Sequence, residues 1–170
     1  ESPRVAIVPT GSEIREVGTP LAPSQIYDIN SYTLTAVAKH NGAIVTQHPI
    51  VPDTRTTLKR AITSLVDHDM IIVAGGSSVG ERDLLHGIVQ ELGSVLFHGV
   101  QVKPGKPTLF GIIEDTPIFG MPGYPTSCLS NAYLFLEPAL RLKARKVAKV
   151  AAILFTKCSV SQKMLQIVFF

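Results

Sequence analysis

Residues 69–83 read DMIIVAGGSSVGERD, an apolar run that ends at two glycines and passes into a polar loop. Unbroken apolarity from Met70 to Ala74 marks a strand covered on both faces, as strands are in a parallel sheet between helices. Upstream, Leu58, Ala61, Ile62 and Leu65 follow helical spacing, which predicts a helix over residues 54–66 capped by Asp53. Before it come a β-branched stretch, 43–51, and the segment DINSYTLTAVAKH, 28–40. That segment places Ile29, Tyr32, Leu34, Ala36 and Val37 at mostly helical spacing and ends at Asn41-Gly42, a helix with its terminating glycine. With Arg4 to Pro9 as a first buried strand, the order is βαβαβ. It predicts an α/β fold, a three-layer, doubly wound, mostly parallel sheet.

Downstream the pattern shortens. Between residues 95 and 120 three extended runs, VLFHGVQV, PTLFGII and TPIFG, are separated by Pro/Gly turns and predict a sheet edge or a β-rich insertion. A helix is expected over 125–142, with Cys128, Leu129, Ala132, Tyr133, Leu136 and Leu140 on one face and a late kink at Pro138. Residues 12–27, with Gly18, Pro20 and Pro23, have no period and read as a long loop. Residues 1–146 are expected to form one domain, and 147–170 the start of another domain or a tail.

The 170 residues suffice for one real core. No apolar run approaches the 18 or so residues a membrane helix needs. The chain opens Glu1-Ser2-Pro3 with neither an initiator Met nor a basic-then-apolar leader, and is expected to be a piece of a longer protein. Cys128 and Cys158 have neither metal-knuckle spacing nor disulfide density, which fits a reducing, cytoplasmic setting. Residues 1–140 hold nine Lys/Arg against all 13 Asp/Glu, while residues 141–170 hold seven basic residues and no acid. An acidic body argues against nucleic-acid binding, because duplex binders spread cations over a whole face.

In such a fold, ligands lie beyond the carboxyl ends of the strands. Four loops fall there. Gly75, Gly76, Ser77, Ser78 and Gly80 lie in a loop whose backbone N–H groups can nest an anion, although glycines also build plain βα turns. Lys103-Pro104-Gly105-Lys106-Pro107 presents two cations on a turn stiffened by prolines, suited to phosphate or another oxyanion. Gly120 to Ser127 is a Gly/Pro loop in which Pro125 suits a first helical turn and Thr126 and Ser127 can serve a cap or an anion. Thr10-Gly11-Ser12-Glu13 and Asp28-Ile29-Asn30 supply acids that, with Asp83, could gather around a divalent cation, or could simply cap or face water. The five histidines fall in no ligand spacing, and Cys128 lies on an apolar stripe, where core packing outweighs a nucleophilic role.

Taken together, TGSEI (10–14), DIN (28–30), GGSSVGERD (75–83), VKPGKP (102–107) and GMPGYP (120–125) resemble the molybdopterin-binding domain of the MoeA and gephyrin family over residues 4–142. The same domain type occurs in MogA/MoaB adenylyltransferases and CinA-like proteins. The resemblance implies molybdenum cofactor biosynthesis: insertion of molybdate into adenylylated molybdopterin, with hydrolysis of the adenylylated pterin and help from Mg²⁺. By motif, Glu13 and Asp83 would be catalytic and metal-positioning carboxylates, and Lys103 and Lys106 would hold phosphate or molybdate. Thr10, Gly11, Asp28, Asn30, the glycine loop and Pro122, Gly123, Tyr124, Pro125, Thr126 and Ser127 would bind the substrate. The implied partners are molybdopterin and molybdate, without nucleic acid or membrane, in a homo-oligomer, dimer or trimer. Ser12 stands where the family usually has Asp, Tyr124 where it usually has Asn, and Ser77 where another small residue is commoner. Two other readings stay open, an adenylyltransferase and a non-catalytic molybdopterin-binding module.

Overall fold

A computed structural model of the chain describes residues 2–75 and 84–144. The strands are β1 (Arg4–Pro9), β2 (Ile14–Arg15), β3 (Ile26–Tyr27), β4 (Ile44–Gln47), β5 (Met70–Ala74), β6 (Gly93–His98), β7 (Leu109–Ile113) and β8 (Thr116–Met121). The helices are α1 (Asn30–His40), α2 (Arg55–Thr63), α3 (Leu84–Leu92), α4 (Pro125–Asn131) and α5 (Glu137–Lys143). A six-stranded sheet has the order β4-β1-β5-β8-β7-β6. β1, β4, β5 and β8 are parallel, and β7 pairs antiparallel with both β8 and β6. Five strands therefore share one direction and β7 alone runs against them. The three extended runs form one side of this sheet, β8 inside it, β7 beyond and β6 at the edge.

Pleat alternation along β1 divides the core in two. Val5 and Ile7 pack with Leu34, Val37 and Ala38 of α1 and with Cys128, Leu136 and Leu140. Ala6 and Val8 point to the other face, against Leu58 and Ile62 of α2 and Leu85 and Ile88 of α3. Helices thus cover both faces, the three-layer arrangement expected of apolar strands.

Several boundaries and faces differ from the sequence reading. The strand expected over 43–51 is regular only over Ile44–Gln47, and Val51 returns as an isolated bridge to Thr10. α1 buries Asn30, Ser31, Leu34, Val37 and Ala38, whereas Ile29 and Tyr32 are exposed. The true stripe is partly polar because its first residues bond to other segments, Asn30 to the Gly123 carbonyl and the Ser31 N–H to Asp28, which hydrophobic spacing alone cannot show. α2 is capped by Thr54, whose Oγ1 accepts from the Thr57 N–H, and not by Asp53. The helix expected over 125–142 widens between α4 and α5 into a π-helical stretch, residues 132–136, and Pro138 lies in the first turn of α5. Tyr133, expected on the apolar face, is exposed there. The long loop 12–27 contains one short parallel ladder, β2 with β3. Residues 147–170, expected as a further domain or tail, lie outside the described residues.

Candidate functional site

The helices that follow β1 and β5, neighbours in the sheet, lie on opposite faces, α1 on one and α3 on the other. In doubly wound sheets such a switch point is where ligands bind, outside the carboxyl ends of the strands. The strand exits are stitched together there. The Thr10 N–H donates to the Ala74 carbonyl at 2.9 Å, and the Gly75 N–H to the Met121 carbonyl at 3.1 Å. Gly75 has φ +97°, and a Cβ there would fall 2.4 Å from the Thr10 carbonyl oxygen. Only glycine permits both that dihedral and that approach.

The GMPGYP loop and α1 close on the same point. A Cβ at Gly123 would lie 3.8 Å from the Gly75 Cα, and Asn30 Nδ2 donates to the Gly123 carbonyl at 2.8 Å. Asn30 and Ser31 are 8% and 3% exposed, and Asn30 Oδ1 and Ser31 Oγ are buried without a hydrogen-bond partner. Buried polar atoms left unpaired are costly, and here they lie at the start of α1, where Asn30 holds the GMPGYP loop. Pro125 occupies the first turn of α4, the Tyr124 ring is 75% exposed at the loop tip, and Ser127 is buried while Thr126 is exposed.

Asp28 accepts from the Ser31 N–H at 3.0 Å and so caps α1, while its charge also reaches Cys128. Burial, and secondarily that negative charge, push the Cys128 thiol up to about 12. A neutral, buried thiol is no nucleophile, in line with core packing. Glu13 is exposed, with its carboxylate beside Gly11, where an added Cβ would lie 3.0 Å from Oε2. The Ile26 N–H donates to the Glu13 carbonyl and the Asp28 N–H to the Arg15 carbonyl. The β2–β3 ladder thereby returns Asp28 to the strand exit from which Glu13 departs.

One carboxylate escaped the sequence reading. Asp53, expected as a helix cap, instead accepts from Thr10 Oγ1 at 2.6 Å. Its position just after a strand, at the end where the loops gather, was the available signal. Among the described residues, no three His, Cys, Asp or Glu side chains are grouped to hold a metal. Gly76, Ser77, Ser78, Gly80 and Asp83 lie outside the described residues, so the carboxylate pair expected of Glu13 and Asp83 has one described member.

The lysine turn lies at the same end of the sheet. β6 runs with the parallel strands, so the loop after His98 leaves from their carboxyl ends, and Leu109 at its far side pairs with Gly120. Lys103 and Lys106 are both exposed. The turn includes a cis peptide before Pro104, and the Lys106 carbonyl accepts from the Val100 and Thr108 N–H groups. A separate shallow groove of about 590 Å³ runs along α2 between Arg55, Lys59, Arg60 and Glu91. Arg55 and Lys59 are already paired with Glu91 there, at 2.7 and 2.6 Å, and none of the motif residues lines it.

The family model described as "Probable molybdopterin binding domain" matches residues 6–142. A molybdopterin molybdenumtransferase of Haemophilus influenzae is 34% identical over 145 residues, which are 84% of this chain and 36% of that protein. Its counterpart in Nostoc is 37% identical over 144 residues, 82% of this chain and 33% of that protein. A solved molybdopterin biosynthesis MoeA protein of Pyrococcus horikoshii superposes with a TM-score of 0.74 at 40% identity, covering 82% of this chain and 34% of its own. MoaB from Thermus thermophilus, 21% identical, shares the fold with a TM-score of 0.65 over 86% of this chain and 99% of its own. The chain spans about a third of the length of the transferases it matches.

Proposed function

The chain belongs to the family of molybdopterin-binding domains, and from that premise we propose that it is the pterin-binding part of a molybdotransferase, inserting molybdate into adenylylated molybdopterin. The observation that carries the reading is the convergence of Thr10, Gly75, Gly123 and Asn30 at the carboxyl end of the sheet through direct backbone and side-chain contacts. Asn30 Oδ1 and Ser31 Oγ, buried and unpaired, supply an acceptor and a hydroxyl suited to a polar heterocycle such as a pterin. Gly75 and Gly76 with Ser77, Ser78 and Gly80 would cradle phosphate through backbone N–H groups. Lys103 and Lys106 would neutralise the oxyanion, phosphate or molybdate. Pro122 to Ser127 would wall the ring, with Tyr124 free to stack on it in place of the family's Asn.

Cleavage of the adenylyl phosphoanhydride by water adds negative charge that hard cations stabilise. Mg²⁺ is held typically by one or two carboxylates together with substrate phosphates, so Glu13 and Asp83 suit it in donor type. When bound, Mg²⁺ would supply charge neutralisation on the phosphates. Glu13, exposed beside Gly11, can also accept a proton from the attacking water, and Asp53 orients Thr10. The absence of the family's Asp at Ser12 favours one other reading, a domain that binds molybdopterin without turnover.

The test is titration calorimetry of the chain with molybdopterin, with and without Mg²⁺ and molybdate, followed by assay of AMP release from adenylylated molybdopterin in the full-length parent. Saturable binding weakened about tenfold in Lys106→Ala and AMP release lost in Asp83→Asn are expected. Binding without AMP release by the parent selects the non-catalytic module. ATP consumption with free molybdopterin selects an adenylyltransferase. We also infer a homo-oligomer; sedimentation of the parent as a monomer at all concentrations overturns that part.

A further inference from the structure

Asn131, the last residue of α4, is 0% exposed, and its Nδ2 donates to the Gly105 carbonyl at 2.7 Å and to the Thr108 hydroxyl. Thr108 Oγ1 donates in turn to the same Gly105 carbonyl at 3.1 Å. These bonds close a triangle between one helical residue and the Lys103–Pro107 turn. Gly105 has φ +119°, and a Cβ there would fall 2.5 Å from both Nδ2 and Oδ1 of Asn131, so the turn's backbone rests directly on the amide. The other described hydrogen bonds of the turn stay within residues 99–108.

Two further features point to a held turn and not to plain packing. Asn131 Oδ1 is buried without a partner, a cost that an apolar side chain at this position would avoid. The amide's contribution therefore lies in what Nδ2 holds. Directly after Asn131 the chain leaves α-helical pitch for the wider turn of residues 132–136. Such single-turn departures often accompany functional positions.

We propose that Asn131 is the positioning residue of the lysine turn, fixing the Gly105 carbonyl so that Lys103 and Lys106 both face the anionic part of the substrate. This rests on the reading that those lysines hold the substrate's oxyanion. Without the amide the turn loses its bond to the helical layer, and each lysine must be ordered at the moment of binding.

The test is a double-mutant cycle on the whole chain, titrating molybdopterin into the wild type, Lys106→Ala, Asn131→Ala and the double variant, with amide hydrogen exchange at Lys106 and Thr108. Asn131→Ser, which keeps a hydroxyl donor, replaces the alanine variant if that one does not fold. Each single change is expected to weaken binding about tenfold, the order seen when a support of a ligating residue is removed. The double variant is expected to lose less than the product of the two single losses, because a misplaced Lys106 and a missing one lose the same contact and only Lys103 is left to be misplaced. Faster exchange at Lys106 and Thr108 in Asn131→Ala completes the expected result. Wild-type affinity in Asn131→Ala beside weakened Lys106→Ala overturns this inference and leaves the lysine reading standing, as do fully additive losses. Wild-type affinity in Lys106→Ala, or no uptake by a folded wild type, overturns the lysine reading and this inference with it.

Discussion

At the residue scale, two positions carry sharp expectations. Gly75→Ala places a methyl group 2.4 Å from the Thr10 carbonyl oxygen at a φ of +97°. Both strands must part to admit it, so a loss of at least about 2 kcal/mol is expected in urea unfolding. A midpoint equal to the wild type's would mean that the two exits are not in contact. Cys128 has its thiol pushed up to about 12, from an ordinary value of 9.0, by burial first and by Asp28 second. The unfolded thiol ionises near 9 and the folded one near 12. This group therefore contributes stability that is complete below pH 9 and lost as pH rises towards 12. In a chain carrying Cys158→Ser, a thiol-specific reagent at pH 8 should label nothing when native and one group in urea. Native labelling would place Cys128 outside the core. The sequence already put this residue on an apolar stripe. It could not show Asp28 beside it, since contacts across a hundred residues leave no periodic trace.

The elements show the same division between local pattern and distant contact. α2 was readable because Leu58, Ala61, Ile62 and Leu65 are spaced for one face, and all four are buried. Its cap differs from the expected one because Asp53 and Thr54 are both good capping residues, and the choice falls to Thr10, which engages Asp53 from the exit of β1. α2 and α3 are clasped by Arg55 and Lys59 on Glu91, whose carboxyl Lys59 first and Arg55 second hold below the ordinary range. The stabilising part of this clasp is present above the usual carboxylate range and lost as pH falls through the lowered value. Its partners are widely exposed, so Glu91→Gln should shift the melting temperature little, and less still in high salt. Gly87, midway along α3, offers the opposite sign. An alanine there meets only the end of Arg55, at 2.9 Å, a flexible group that can move away. The helix propensity gained should raise stability by about 0.5 kcal/mol in urea unfolding. A loss would show that the clasp outweighs propensity.

Over the whole molecule, stability should be graded from the sheet's centre to its edges. β1, β5 and β8 are paired on both sides and packed on both faces, whereas β4 and β6 border the sheet. Amide exchange should be slowest at Ile7, Ile72 and Phe119 and faster along β4 and β6. Uniform exchange would indicate a single opening unit. Ile72→Ala should cost about 2–5 kcal/mol by emptying the centre of one core. Val17, Ile26, Tyr27, Ile29, Tyr32 and Tyr124 are all exposed. The transferases similar to this chain are about three times its length.

By itself the sequence determined the alternation of strands and helices, the burial of β1 and β5 on both faces, and the five motif loops that mark the family. These are local properties, fixed by side-chain period and by the backbone freedom of glycine and proline. Only the tertiary structure decided which loops touch. It joined Thr10 to Asp53, Asn30 to Gly123 and Asn131 to Gly105. It did so because the sheet order sets strands distant in sequence side by side, so that the loops at their carboxyl ends meet, an arrangement set by packing the whole sheet and not by any one segment.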